Sequence, residues 1–160
     1  MRIKANTSLR FVLSVLLTFM IWSCNRMPYY AQYVNLERQT WDSHDTLRFE
    51  LHEADTTALQ HLSLGVRATG AYEYRKLNVG IEVLDNGKAC HKDVLSYELF
   101  DTDGIRKGDG TVYSENERYV CPLQIKKGHT YTFKVYHLMR LDPIVGISNV
   151  FIQISDEQAE

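Results

Sequence analysis

Six histidines, three cysteines and one Asp-rich turn are the places where this 160-residue chain could do chemistry. A metal centre gathers imidazoles or thiolates at about 2.0–2.3 Å, which in sequence shows up as short, repeated spacings. His44, His52, His61, His91, His129 and His137 form neither a His-x-His nor a His-Glu-x-x-His pattern. His129 and His137 share one face of a single extended segment, but eight residues at about 3.3 Å each hold them more than ~20 Å apart. We therefore expect scattered surface or edge histidines and no metal ligand set. His137 differs in standing on an otherwise apolar face. Asp101-Thr102-Asp103-Gly104 begins like a calcium loop, yet it lacks the third early acid and the bidentate glutamate at the loop's end. Gly104, Gly108 and Gly110 suit tight turns at a strand end equally well. Lys107 precedes the last two of these glycines and no helix follows, so a phosphate cradle is not indicated. There is no Gly-x-Ser-x-Gly elbow, and Cys121, followed by Pro122, has no histidine partner signalled nearby. The chain reads as a non-enzyme without a cofactor.

Cys24 is the cysteine with a definite chemistry. Arg2, Lys4 and Arg10 precede a twelve-residue apolar run from Phe11 to Trp22, broken only by Ser14 and Thr18, and Ser23 then leads into Cys24. A basic start, a short apolar core and a small residue at the cut form an export signal, removed from the mature protein. The run is too short to span a membrane, which takes roughly 20 apolar residues. Ile21-Trp22-Ser23-Cys24 resembles a bacterial lipobox, with the bulkier Trp22 where Ala or Ser is usual. Residues 1–23 are then signal peptide, Cys24 is the lipid attachment point, and 24–38 form a lipidated tether and first ordered segment. Acyl chains contribute about 0.8 kcal/mol per buried CH2, so several of them on one cysteine anchor a protein to a membrane.

The signal removes three of 18 basic residues and none of the 20 acidic ones, leaving 15 basic against 20 acidic, a net of −5. No basic patch remains to suit a phosphate backbone, so nucleic acid is not an expected partner. Cys90 and Cys121 are left as an even pair in an exported protein, where a disulfide is allowed and two buried free thiols are the alternative. A bridge would close a loop of about 30 residues, with a loop-entropy contribution of roughly 3–4 kcal/mol.

These residues must be positioned by strands. From Trp41 onward the apolar period is two. Leu47, Phe49 and Leu51 alternate with Arg48 and Glu50; Leu62, Leu64 and Val66 with Ser63, Gly65 and Arg67; Leu77, Val79, Ile81 and Val83 with Asn78, Gly80 and Glu82. Asp85-Asn86-Gly87-Lys88 is a hairpin turn, because Asn-Gly tolerates the positive φ that tight hairpins require. Further strands are expected at Val94 to Phe100, Thr111 to Tyr113, Tyr119 to Ile125, Tyr131 to Met139, and Val150 to Ile154. Turns fall at Lys127-Gly128 and Asp142-Pro143, and residues 53–61 have room for one helical turn. About eight short strands without a long helix predict an all-β fold, an antiparallel β-sandwich of jelly-roll type over 39–156, followed by an acidic tail at 157–160. Tyr29, Tyr30 and Tyr33 lie either at the headgroup level of a membrane or along the domain edge.

The second half of the chain carries a more specific pattern. Arg67, then Tyr72-Glu73-Tyr74 and Leu77, the Asp103-Gly104, Gly108 and Gly110 turn, and His137-Leu138-Met139-Arg140-Leu141-Asp142 followed by Gly146-Ile147 and Val150 together resemble GldH. GldH is a family of lipoproteins associated with gliding motility in the Bacteroidetes. Ile105-Arg106-Lys107 stands where an aromatic is expected within the glycine turn, and His137 where a glutamine is common. The resemblance implies a non-catalytic envelope lipoprotein that supports assembly or stability of the gliding machinery, tied to type IX secretion. Its implied partners are a membrane, through lipidated Cys24, and other envelope proteins of that apparatus. Tyr72, Tyr74, Met139 and Arg140 are the candidate interaction surface. Arg140 either forks onto a carboxylate or the carbonyls of its own turn, or contacts a partner. Asn25 rather than Asp follows the cysteine, which by resemblance to other envelope lipoproteins implies the periplasmic face of the outer membrane. A lipid-anchored glycan-binding sandwich is the alternative, and it requires an exposed aromatic row from Trp41, Tyr72 and Tyr74.

Overall fold

The computed structural model describes residues 27–156, so the signal peptide, Cys24 and the acidic tail lie outside the described residues. Ten strands follow in order: β1 (Tyr30–Asn35), β2 (Thr40–Trp41), β3 (Leu47–Leu51), β4 (Ala58–Ala68), β5 (Lys76–Asp85), β6 (Lys88–Glu98), β7 (Ser114–Ile125), β8 (Tyr131–His137), β9 (Ile144–Val145) and β10 (Ile147–Ser155). They build two four-stranded antiparallel sheets, β1-β10-β4-β7 and β3-β8-β5-β6, with β2-β9 as a small ladder at one end. This is an open antiparallel sandwich. Leaving the small ladder aside, successive strands alternate between the two large sheets except at the β5–β6 hairpin. That hairpin turns at Asn86 and Gly87 with φ of 46° and 79°, the twisted two-residue turn that Asn-Gly favours.

Period-two patterning explains the core. Leu62, Leu64 and Val66 from β4, Val79, Ile81 and Val83 from β5, Phe133 and Val135 from β8, and Val150, Ile152 and Ile154 from β10 are fully buried between the sheets. In β4 the burial is continuous from Leu62 to Val66, because the outer face is covered as well. Gly65 lies opposite Phe151 across the β4–β10 ladder, and the Phe151 ring fills the space where a Cβ would stand. Tyr33 stacks on Phe151 at 4.9 Å, and the Arg67 guanidinium lies 5.2 Å over the Tyr33 ring. Gly80 of β5 repeats the device, with the Tyr136 ring of β8 over it in register.

Several expected elements differ. β1 belongs to the sandwich, pairing with β10 from Tyr30–Ile154 to Asn35–Asn149, and lies within the 24–38 segment read as tether and first ordered segment. The tyrosines of that segment pack along the edge: Tyr29 donates to Asp55 Oδ1 at 2.7 Å and Tyr30 to the Glu50 carbonyl at 3.0 Å. No helical turn forms at 53–61, where Ala58 onward is strand. Thr111 to Tyr113 is not a strand, because Gly108 and Gly110 fold the loop back against Ser114 and Glu115. β8 ends at His137 rather than Met139. Cys90 on β6 and Cys121 on β7 stand on edge strands of different sheets, line a common cleft and are unbonded thiols in this structure.

Candidate functional site

One end of the sandwich is built from three connections: the 42–46 loop after β2, the 69–75 loop after β4, and the 138–146 segment after β8. Gly146 ties the last two to each other and to Gln39 ahead of β2. Its φ is 97°, open to glycine and strained for other residues, and a Cβ there would collide with the backbone of Tyr72. Gly146 N–H donates to the Gln39 carbonyl at 2.8 Å, and Thr69 N–H donates to the Gly146 carbonyl at 2.8 Å. The peptide between Asp142 and Pro143 is cis, in the turn that leads to β9.

Most residues of the sequence pattern turn out to hold this end in shape. Tyr72 is 2% exposed and donates to the Lys76 carbonyl at 2.9 Å, with half-buried Tyr74 edge-on at 5.6 Å. Burial pushes the Tyr72 hydroxyl pKa far up, with Tyr74 adding to it. Met139 is half-buried, its sulfur accepting from Asn78 N–H at 3.5 Å. Arg67 pairs with Glu115 while covering Tyr33 and Phe151. Asp101 Oδ1 accepts from the N–H groups of Asp103 at 2.9 Å and Ile105 at 2.8 Å, so this carboxylate organises its own turn.

Arg140 is different. It is exposed and makes no hydrogen bond or ion pair among the described residues, so it does not hold its turn. Leu138, Leu141 and Val145 are exposed beside it, and Ala71, Glu73, Tyr74, Pro143 and Val145 line a shallow depression of about 420 Å³. Trp41, at 0% exposure, donates its indole N–H to the Asp45 carbonyl and packs edge-on against His137 at 5.4 Å. With Trp41 and Tyr72 in the core, these aromatics do not form the exposed row a sugar platform needs.

Charge at this end is fixed by local hydrogen bonds. Ser43 donates its backbone N–H to Asp142 Oδ1 at 2.7 Å and its hydroxyl to Oδ2. Those two bonds lower the Asp142 pKa. The His44 N–H and ring do the same for Asp42, and the Asp42 partner raises His44. His137 is buried, which lowers its pKa, and Asp142 and Asp42 only partly offset this. Asp42, Ser43 and His44 were not singled out together with Asp142 by their sequence. Ser43 and Asp142 are 99 residues apart, and no local spacing signals their contact.

The other histidines are dispersed. His129 Nδ1 lies 2.6 Å from Asp85 Oδ1, and His52 Nε2 3.1 Å from Glu50 Oε2, both at the far end of the sandwich. The thiols are quiet: burial pushes Cys121 up to about 11, with Cys90 and Asp93 adding, and raises Cys90 as well. A groove of about 450 Å³ between the β6 and β7 edges is lined by Tyr97, Glu98, Lys107 and Arg118.

Fold and site together define an antiparallel β-sandwich with a loop-built, partly apolar end that presents the exposed Arg140. The chain belongs to the GldH lipoprotein family, whose model matches residues 28–154. No curated protein matches it. Among solved structures it is similar to dimeric latent PorU from Porphyromonas gingivalis, at 10% identity and a TM-score of 0.34, over 81% of this chain and 13% of that one.

Proposed function

We propose that this chain is a lipid-anchored envelope protein, held at Cys24, that supports assembly or stability of a gliding and type IX secretion apparatus by binding companion envelope proteins. The observation that carries the reading is the family match over 28–154, which begins four residues after the cysteine of the lipobox and fills the exported part of the chain. The exposed Arg140, with Leu138 and Leu141 beside it, supports a protein-binding role for the loop-built end, since arginine flanked by apolar side chains is a common interface composition. The anchor would place the domain on the periplasmic face of the outer membrane.

Deletion followed by quantitative proteomics of the envelope and a secretion assay tests this. Companion envelope proteins should fall in level and secretion should weaken. Arg140→Ala should reproduce part of that loss while the protein itself stays at normal abundance. Unchanged companions and unchanged secretion in the deletion strain would refute the reading.

A further inference from the structure

Three donor atoms from two distant parts of the chain converge beside the exposed end. Asp42 Oδ1, His44 Nδ1 and a carboxylate oxygen of Asp142 all lie within 4.8 Å of one another. His44 Nδ1 is 3.0 Å from Asp42 Oδ1 and 4.0 Å from Asp142 Oδ2. One imidazole nitrogen with two carboxylates suits a borderline first-row divalent ion better than calcium, which prefers six or more oxygens. Exposed acids gather on many surfaces without binding anything, so this grouping alone would carry nothing.

A second observation lies directly beneath it. The His137 side chain has 0% exposure. Its Nδ1 accepts the Met139 N–H at 3.3 Å, which puts the ring proton of the neutral imidazole on Nε2. That Nε2 faces Asp142 Oδ1 from 3.7 Å, too far for a hydrogen bond, and although the Trp41 backbone lies near the ring no hydrogen bond of good geometry reaches Nε2 among the described residues. A buried donor pointed at a carboxylate is the arrangement that orients a ligating group from behind. Trp41 fixes the ring edge-on, at 71° between planes. Ser43 holds both Asp142 oxygens from the other side.

We propose that Asp42, His44 and Asp142 bind a first-row divalent cation of the zinc type, with His137 as the positioning residue behind Asp142. Bonds of 2.0–2.2 Å at tetrahedral angles set neighbouring donors about 3.3 Å apart, so the grouping closes by about 1.5 Å or less. His44, with 90% of its side chain exposed, is free to swing in. A water completes the fourth position. The site stands independently of the proposed partner binding.

Titration calorimetry of the untagged full chain with zinc chloride, and separately with calcium chloride, tests the proposal. Zinc should give a saturable one-to-one isotherm at least tenfold tighter than calcium. His44→Ala and Asp142→Asn should each weaken zinc at least tenfold, and Asp101→Asn should leave it unchanged. His137→Phe should weaken zinc, while His137→Gln, which keeps a side-chain N–H donor, should restore it. His44 is so exposed that its alanine variant keeps the fold, and that variant decides the matter if Asp142→Asn is unstable. No saturable zinc binding by the wild type, or binding undiminished in His44→Ala, would overturn the site. Equal affinity in both His137 variants and the wild type would remove the positioning role.

Discussion

Arg140 and Gly146 sit six residues apart in one connection and do opposite work. Gly146 is buried at a φ of 97° against the Tyr72 backbone, so Gly146→Ala combines backbone strain with an overlap that only main-chain movement relieves. The expected cost is about 2–4 kcal/mol, read as a lower urea midpoint at unchanged slope. Arg140→Ala removes an exposed side chain with no partner in the described structure, and its midpoint should stay within about 0.5 kcal/mol of wild type. Loss of companion proteins in the second variant, without loss of stability, separates a contact residue from a scaffold residue. The thiols give another test at this scale. In denatured, non-reduced protein both Cys90 and Cys121 should titrate, while in the native state buried Cys121, with its pKa pushed up to about 11, should react far more slowly than exposed Cys90. Protection of both thiols from alkylation after denaturation would show that they bond after all.

The strands are held by devices that act on the outer faces as much as in the core. Gly65 of β4 and Gly80 of β5 each accept an aromatic ring from the adjacent strand, Phe151 and Tyr136. Gly65→Val should therefore destabilise the β1-β10-β4-β7 sheet by about 1–3 kcal/mol although valine favours strands, because the ring has to leave its place. A joint Gly65→Val, Phe151→Ala variant should recover part of that loss, as expected for residues in contact. At the end of β6, Glu98 receives Lys107 Nζ at 2.6 Å and Arg75 Nε at 3.0 Å. These bonds lower its pKa from 4.5 to about 2. The folded state binds this proton less readily than the unfolded chain, so the contribution to stability is complete above pH 4.5 and is lost as pH falls toward about 2. The urea midpoints of wild type and Glu98→Gln should differ at neutral pH and converge in that acid window. A constant gap across it would contradict the ion-pair role.

Across the whole molecule, the direction of β1 sets the orientation. The chain enters at the Tyr30–Ile154 end and runs toward Asn35–Asn149, about 20 Å along the sheet. The 42–46 and 138–146 connections lie at that far end, and the Asp85–Lys88 turn with His129 lies at the entry end. On the proposed anchoring at Cys24, the entry end would face the membrane and the Arg140 surface would face away from it. A photocrosslinking residue at Leu141 should capture an envelope protein, and one at Asn86 should not. Cys24→Ala should leave the folded domain intact and release it from membranes, or leave it uncleaved, as fractionation and intact mass would show. An acyl-free wild-type chain would end the anchoring proposal.

Period-two patterning and the Asn86-Gly87 turn were enough to fix the fold class, the inward faces and the β5–β6 hairpin, because each depends on neighbours within a few residues. The ordered pieces from Arg67 to Val150 were likewise legible, and they led to the family. Distances between strands were not. The sequence left Cys90 and Cys121 open, and only the packing of β6 against β7 brings the two into a common cleft. Tyr72 looked like surface because its segment is short and polar; it is core because Gly146, 74 positions later, lets the backbones touch. His137 stood out in the sequence as a polar residue on an apolar face, but the carboxylate it faces comes from a turn whose shape depends on β9 pairing with β2. Asp42, His44 and Asp142 meet for the same reason. Local periodicity reports which way a side chain points, and only long-range strand pairing decides what it meets there.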